Sequence, residues 1–242
     1  MRTFLACSGI DGRASVIDKL DELVRQRKPD AILFAGGLFA LAAPGESPAA
    51  SAERRHQDMR LLEQFFATLG AMRTIAAVIP GPNDAPLRAC LMAGMNARSQ
   101  SPGVHLIHCT MVTTRDVVIS GVGGQLTEVE DSGEPVVRCS RTTAEYFLQA
   151  FGAAAESEKV LLLGSAPRGA LGGDTGNAVA GDLVDSYHPK LCVVAGSSEC
   201  QGVERVAHTT IVNPGSLSDG SAAWIDWTRD VDEQVEMIHK SA

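Results

Sequence analysis

Residues 31–37 read AILFAGG, an apolar run that ends in two glycines. Residues 3–7 (TFLAC) form a similar run, and the chain then enters residues 16–24, where apolar side chains recur at helical spacing. Pro29 stops this helical pattern just before the run at residue 31 begins. A strand, an amphipathic helix and a second strand therefore follow one another, which predicts a βαβ unit.

Strand and helix patterns continue to alternate along the chain. The apolar run at residues 74–79 breaks at a Pro-Gly-Pro turn, and residues 104–107, 111–113 and 116–120 are short β-type runs separated by turn residues. Residues 42–52 have the composition of a loop. The other predicted helices are 53–69, 86–97, 142–155 and 178–187, and the other predicted strands are 159–163, 191–195, 203–206, 209–212, 222–226 and 234–238.

These elements form two βα-rich halves whose apolar strands each end in a glycine-containing loop. They predict an α/β fold built as a layered α/β/β/α sandwich. Because no clear linker interrupts the pattern, a single domain over residues 1–242 is predicted. The loops at the strand ends would share one face, and ligands of open α/β sheets bind at that face, beyond the carboxyl ends of the strands.

Charge and composition restrict the expected partners. The 242 residues are 45% hydrophobic, which is ordinary for a globular protein, and carry a net charge of -8. General nucleic-acid binding needs clustered Lys and Arg, so no nucleic-acid partner is predicted. The sequence contains no apolar run that approaches the roughly 20 residues of a membrane span, so no membrane partner is predicted either.

The start of the chain and its cysteines predict a cytoplasmic protein. Residues 1–8 look superficially like a lipoprotein cleavage site, but too few residues precede Cys7 for the apolar segment of a signal peptide. The six cysteines form no CxxC pair, which favours reduced thiols in a reducing compartment. We therefore expect neither export nor a framework of disulfides.

Loop segments that follow apolar strands occur in a fixed order along the chain. They are SGIDG (8–12), PDAILFAGGL (29–38), IPGPND (79–84), LGSAP (163–167), AGSSE (195–199) and IVNPGS (211–216). In order and spacing this series resembles the calcineurin-like metallophosphoesterase superfamily, whose motifs are DxH, GDxxD, GNH[DE], a lone His before a Pro, and GHxH. The final segment resembles the predicted bacterial phosphoesterase branch. The resemblance covers almost the whole chain and implies a four-layer α/β/β/α sandwich of the metallo-dependent phosphatase type.

The resemblance also implies which positions would carry chemistry. In enzymes of that family two divalent metals, held by carboxylate, amide and imidazole groups, clamp the phosphate and activate a bridging hydroxide. Carried over position by position, the family's metal-ligand positions fall on Gly9, Asp11, Gly37, Pro82, Gly164, Ser197 and Glu199, and its leaving-group acid falls on Asn83. Glycine and proline side chains cannot ligate a metal, and Gly37 stands where the bridging carboxylate belongs. The resemblance therefore implies a degenerate member with no catalytic residue and no cofactor.

The leading hypothesis is a catalytically inactive protein that binds an unknown small ligand or a protein partner at the former active face. The alternative is a divergent metal-dependent phosphoesterase that hydrolyses small phosphodiesters or phosphomonoesters. It requires a rebuilt site in which Asp11, Asn83, Asp84 and Glu199 converge on one Mg²⁺, Mn²⁺ or Ca²⁺. The competing interpretation is that these are solvated turn residues, since Asn and Asp are common in turns for backbone reasons. A structural subunit that pairs through an exposed sheet edge is the third hypothesis.

Two further groups of side chains are expected to be structural. Cys7 and Cys200 stand close to the predicted ligand positions, but no histidine base accompanies them in the pattern, so buried and inert sulfur is expected. His105 and His108 flank the apolar residues of a short strand. Side chains alternate along a strand, so the two rings are expected to point to opposite faces rather than to share a metal.

Overall fold

The computed structural model describes residues 1–42, 45–129, 136–154, 157–169, 171–173, 176–196 and 198–239. Within these ranges the helices are α1 (Ala14–Arg27), α2 (Pro48–Ala71), α3 (Leu87–Gln100), α4 (Arg141–Ala153) and α5 (Ala178–Tyr187). The strands are β1 (Thr3–Cys7), β2 (Ala31–Phe34), β3 (Ile75–Val78), β4 (Val104–Leu106), β5 (Thr110–Thr113), β6 (Val117–Val122), β7 (Gln125–Thr127), β8 (Arg138–Ser140), β9 (Glu158–Leu163), β10 (Leu191–Val194), β11 (Gly202–Val206), β12 (Thr209–Asn213), β13 (Ala222–Asp226) and β14 (Val235–Ile238).

Two mixed six-stranded sheets contain most of these strands. The first has the order β14-β13-β1-β2-β3-β4, in which β1 to β4 are parallel and β13 is antiparallel to β1. The second has the order β11-β12-β10-β9-β6-β5, in which the inner strands are parallel and both edge strands are antiparallel. β7 and β8 pair separately, in parallel.

Three separate hydrophobic cores show how the layers stack. Along β2 the side chains alternate, so that Ile32 and Phe34 pack in the core beneath α1, α2 and α3. Ala31 and Leu33 point the other way and join Ile119 of the second sheet in the core between the sheets. The third core lies between the second sheet and helices α4 and α5. This arrangement confirms the predicted four-layer α/β/β/α sandwich.

The helices cover the outer faces of the sheets because each presents one apolar side. α1 buries the stripe formed by Val16, Leu20 and Val24, while the ion pair of Arg25 with Asp21 lies on its solvent side. Across the described residues, none of the helices has both the length and the apolarity that crossing a bilayer requires.

The boundaries differ from the sequence prediction in places that have a physical cause. The predicted loop over residues 42–52 is wrong at its end, because α2 begins at Pro48. Ser47 caps that helix by accepting a hydrogen bond from Ala50 N at 3.2 Å, a start signal that the loop-like composition conceals. The sequence does not predict β7 and β8, since strands of three residues are too short to show a period. Residue 155, the predicted end of the fourth helix, lies outside the described residues.

Candidate functional site

The loops that follow the parallel strands meet along one edge of the sandwich. Gly9 N, after β1, donates to Gly36 O, after β2, at 2.9 Å. On its other side the same loop is joined to the loop after β12, because Ser8 Oγ donates to Gly215 O at 2.8 Å. Parallel strands bring their carboxyl ends to one edge, so these contacts follow from the topology. We call the surface formed by residues 8–12, 36–39, 80–84, 198–199 and 213–219 the strand-end face.

Backbone fills the place where the family pattern puts the bridging carboxylate. A Cβ on Gly37 would lie 3.0 Å from Gly9 Cα and 3.1 Å from Gly9 N. A Cβ on Gly9 would in turn lie 2.8 Å from the Cβ of Ser216. Both glycines have positive φ, +83° at Gly37 and +72° at Gly9, where an L side chain is strained. Neither position can therefore accept a carboxylate unless the neighbouring backbone moves.

Glycines also bring neighbouring loops of the same sheet into backbone contact. A Cβ on Gly36 would lie 2.6 Å from Gly81 Cα, and a Cβ on Gly164 would lie 2.7 Å from Gly124 N. Gly164 is the position predicted to correspond to the family's lone metal-binding histidine. Gly124 N donates to Pro80 O at 2.8 Å, so the second sheet is tied directly to the loop after β3. The interior of the strand-end face is thus closed by packed main chain.

Asp84 holds two of these loops together. Its side chain is fully buried, and its two oxygens accept four backbone N–H groups. The donors are Gly37 (3.1 Å), Leu38 (2.8 Å), Phe39 (2.9 Å) and Gly81 (2.6 Å). Burial raises the pKa of this carboxyl, and the four N–H groups oppose that rise. Four donors fill the acceptor capacity of a carboxylate, which leaves Asp84 no lone pair to offer a cation.

Asp11 lies in a different environment, within a network of hydroxyl groups. Its Oδ2 lies 2.9 Å from Ser216 Oγ and 2.6 Å from Ser218 Oγ, both of which donate to it. Ser198 Oγ extends the network by accepting from Ser216 N at 3.0 Å and donating to Asp219 at 2.7 Å. The serines and Asp219 are site residues that the sequence reasoning missed. The signal for Ser216, Ser218 and Asp219 was the run GSLSD at residues 215–219, where small polar residues follow the buried strand β12.

The sequence of the whole chain decides the family. The family model described as metallophosphoesterase, calcineurin superfamily, matches residues 1–236. The chain belongs to the calcineurin-like metallophosphoesterase superfamily. This confirms the resemblance seen in the loop segments, and with it the fold class.

Solved structures of metallophosphoesterase fold agree with this placement. The crystal structure of TT1561 of Thermus thermophilus is 25% identical, has a TM-score of 0.82, and the alignment covers 98% of each chain. A second crystal structure is 24% identical with a TM-score of 0.84, covers 99% of each chain, and is similar in fold. Comparison with curated proteins gives no significant match.

The residues present do not fit the two-metal centre of a metallophosphoesterase. Gly9, Gly37 and Gly164 have no side-chain ligand atom and no room for a side chain. Pro82 could offer only its carbonyl oxygen, which accepts from Val137 N at 2.8 Å. Within the described residues, no three or more side chains of His, Cys, Asp and Glu are grouped so that they could hold a metal ion. In a two-metal centre a shared carboxylate bridges the two ions, and the chain has a glycine packed on main chain at the position predicted for it.

The remaining predicted positions are spread over the strand-end face. Glu199 is exposed on a 3₁₀ turn over Ser198–Cys200. Asn83 is half-buried in the turn after β3, and its side chain has no hydrogen-bond partner among the described residues. Ser197 lies outside the described residues. Of the four side chains predicted for a rebuilt site, Asp11 and Glu199 thus retain carboxylate oxygens that are open to a ligand, while Asp84 is committed to the main chain.

The cysteines near the strand-end face differ in burial. Cys7 is fully buried, and burial raises its pKa above the usual range, as expected for inert sulfur. Cys200 is half-buried. The ring of His108 is half-buried, and its Nδ1 accepts a hydrogen bond from Gly123 N at 3.0 Å. No disulfide joins the cysteines, all of which lie within the described ranges.

Proposed function

We propose that this chain is a catalytically inactive metallophosphoesterase-fold protein that binds a ligand at its strand-end face. The observation that carries the proposal is the packing of Gly37 on Gly9, because it removes both the bridging carboxylate and the space for it. In-line attack on phosphorus by a metal-bound hydroxide needs two ions held a few Å apart. A chain that cannot place those two ions has the fold of a metallophosphoesterase but cannot carry out this attack on phosphorus.

The chemistry of the face favours ligands that donate hydrogen bonds or carry positive charge. Asp11, Glu199 and Asp219 supply carboxylates, and Ser216 and Ser218 supply hydroxyl groups. The nearby cation is Arg13, which donates to Ser218 O at 3.4 Å. An excess of carboxylates repels a phosphate and attracts ammonium and hydroxyl donors. We therefore propose a small polyhydroxy or amine ligand, or a donor-rich segment of a protein partner.

Metal analysis of the purified protein, combined with a generic phosphodiester assay in added Mn²⁺, tests the loss of catalysis. We expect no stoichiometric metal and no turnover above background. Stoichiometric metal together with turnover that Glu199→Ala abolishes would overturn the proposal in favour of a rebuilt single-metal phosphoesterase, since Glu199 is outside the packed backbone of the face.

Thermal shift against a panel of polyols, polyamines and inorganic phosphate tests the binding role. We expect a polyol or an amine to raise the melting temperature, and Asp11→Ala to remove that rise. Asp18→Ala is the matched control, because Asp18 is an exposed carboxylate on the solvent side of α1. Stabilisation by phosphate alone would contradict the proposed ligand class.

A further inference from the structure

Cys109 lies in a strained turn between β4 and β5. Its φ of 56° is in the left-handed region, which is uncommon for a residue other than glycine, asparagine or aspartate. The turn is held by Cys109 N, which donates to Gly121 O at 2.9 Å, and by Thr110 N, which donates to Ile107 O at 3.1 Å. The side chain is half-buried. The backbone therefore fixes where the sulfur points, while the thiol stays within reach of small molecules from solvent.

The neighbouring histidine is oriented towards this sulfur. His108 Nδ1 accepts from Gly123 N at 3.0 Å, so the single proton of the neutral ring is on Nε2. His108 Nε2 lies 3.7 Å from Cys109 Sγ. An N–H group is thus directed at the sulfur by a main-chain hydrogen bond on the other side of the ring.

A second thiol contacts the first from the buried side. Cys139, in β8, is a buried member of the core cluster against which Cys109 packs, and its thiol acts on the Cys109 sulfur as a hydrogen-bond donor that lowers the pKa of Cys109. The sulfur of Cys139 also lies 3.7 Å from Ser140 O, an alternative acceptor for its proton. One half-buried thiol and one buried thiol are therefore in contact beside an imidazole.

These contacts make Cys109 chemically different from the core cysteines. The hydrogen bond from Cys139 is the main cause that lowers the pKa of Cys109, to about 5, and His108 adds to it against the opposing effect of burial. Burial alone raises the pKa of Cys7 and Cys192, while burial and the nearby charge of Asp84 raise that of Cys90 to about 12. Thiolates react with electrophiles and peroxides far faster than thiols do.

We propose that Cys109 and Cys139 form a redox-active thiol pair, which a hydroperoxide oxidises to a disulfide. The Cys109 thiolate attacks an oxygen of the peroxide, the O–O bond breaks, and the departing oxygen takes up a proton and leaves as water or an alcohol. The product is a sulfenic acid on Cys109. The Cys139 sulfur then attacks the Cys109 sulfur, the S–S bond forms, the S–O bond breaks, and the hydroxide leaves as water with the proton of Cys139. The two thiols are oxidised by two electrons, and the peroxide is reduced by two.

Backbone hydrogen bonds connect the two cysteines to the strand-end face. The redox proposal does not depend on the ligand binding proposed for that face. Val137, two residues before Cys139, donates through its N to Pro82 O at 2.8 Å. On the side of Cys109, Gly123 contacts His108, and the next residue, Gly124, donates through its N to Pro80 O at 2.8 Å. The Cys139 segment is thus hydrogen-bonded to the loop carrying Asn83, and the Cys109 segment is connected to that loop through Gly123 and Gly124, so a disulfide would add a covalent link between two segments next to it.

Peptide mapping of the peroxide-treated full chain tests the proposal. The fully reduced protein is treated with one equivalent of hydrogen peroxide, quenched with N-ethylmaleimide, digested without reductant and mapped by mass spectrometry. We expect a crosslinked peptide pair that joins Cys109 to Cys139 and that separates on reduction. Wild-type protein in which Cys109 stays alkylatable after this treatment, or becomes a sulfenic acid that Cys139 does not resolve, would overturn the proposal.

Three variants assign the roles of the sulfurs. Cys139→Ser is expected to stop at a Cys109 sulfenic acid, which dimedone traps, and Cys109→Ser is expected to abolish the reaction at both positions. Cys200→Ser is the matched control, because Cys200 is also half-buried, and the crosslink should form as in the wild type. If the purified protein instead contains stoichiometric zinc that protects Cys109 and Cys139 from peroxide, the pair is a metal site and the proposal fails.

Discussion

The Cα of Gly9 lies 3.0 Å from the position that a Cβ on Gly37 would occupy. The sequence pattern predicts that both positions correspond to carboxylates that hold metal ions in metallophosphoesterases. Here the two residues pack main chain on main chain, at positive φ, at the point where the two ions would be bridged. Main chain therefore occupies the space between the two positions predicted for these carboxylates, and a side chain introduced at either one would meet its neighbours.

The packing of Gly37 on Gly9 predicts a steric cost for any side chain at position 37. Gly37→Ala should lower the free energy of unfolding by about 2 to 5 kcal/mol, the sum of left-handed strain and overpacking. Gly169→Ala is the matched control, since Gly169 has nearly the same φ (+81°) with open space around it among the described residues. It should cost only the strain, about 1 to 2 kcal/mol. Urea denaturation measures both, and equal losses would contradict the packing argument.

The Asp84 carboxylate accepts four backbone N–H groups, which predicts that its charge is needed for the stability of the fold rather than for binding a cation. Asp84→Asn should lower the free energy of unfolding by about 2 to 4 kcal/mol, because the new amide group places N–H donors against N–H donors. Asp11→Asn should change stability by less than about 1 kcal/mol, since the serine hydroxyls around it can rotate to suit an amide. Chemical denaturation of the pair checks this. A loss at position 11 as large as that at position 84 would show that both carboxylates are structural.

The hydrogen bonds to Cys109 predict the pH dependence of its alkylation. Because the donors stabilise the anion, the wild-type rate should follow a titration with a midpoint at the lowered pKa of about 5. Removing a donor favours the neutral thiol, so Cys139→Ala and His108→Ala should each move the midpoint upward.

Iodoacetamide labelling followed peptide by peptide measures the midpoint in each variant. Cys200→Ala should leave it unchanged. If the wild-type midpoint lies in the ordinary thiol range near pH 8.5, the hydrogen bonds from Cys139 and His108 do not act on the sulfur in solution.

Asp11 and Glu199 have carboxylate oxygens that are open to a ligand, but we expect them not to bind a divalent metal ion tightly. These two carboxylates supply few of the about six oxygen ligands that Mg²⁺ or Mn²⁺ prefers, and the hydroxyls of Ser216 and Ser218 are already engaged with Asp11. Calorimetric titration with Mn²⁺ should therefore give no saturable heat at micromolar concentrations. A saturable isotherm that disappears in both Asp11→Asn and Glu199→Ala would establish the rebuilt single-metal site instead.

The outline of the fold was predictable from local patterns. The unbroken apolar run from Ala31 to Phe34 indicates a strand buried on both faces, and the apolar stripe of α1 indicates the helix layer that covers it. Glycines at the ends of such strands indicate the loop face, and the order of those loops indicates the family. The start of α2 could not be predicted from composition, because its first turn has the composition of a loop although Ser47 and Pro48 form a regular helix start.

The sequence by itself determined the layered fold, the superfamily and the absence of metal donors at Gly9, Gly37 and Gly164, because strand and helix periods and side-chain identity are local properties. Only the tertiary structure decided what replaced those donors. Gly37 and Asp84 lie 47 residues apart in the sequence, and their hydrogen bond exists because parallel strands bring their carboxyl ends together. The proximity of Cys109 and Cys139 is also a product of the tertiary structure. These side chains are distant along the chain and become neighbours only when the segments that carry them have packed together.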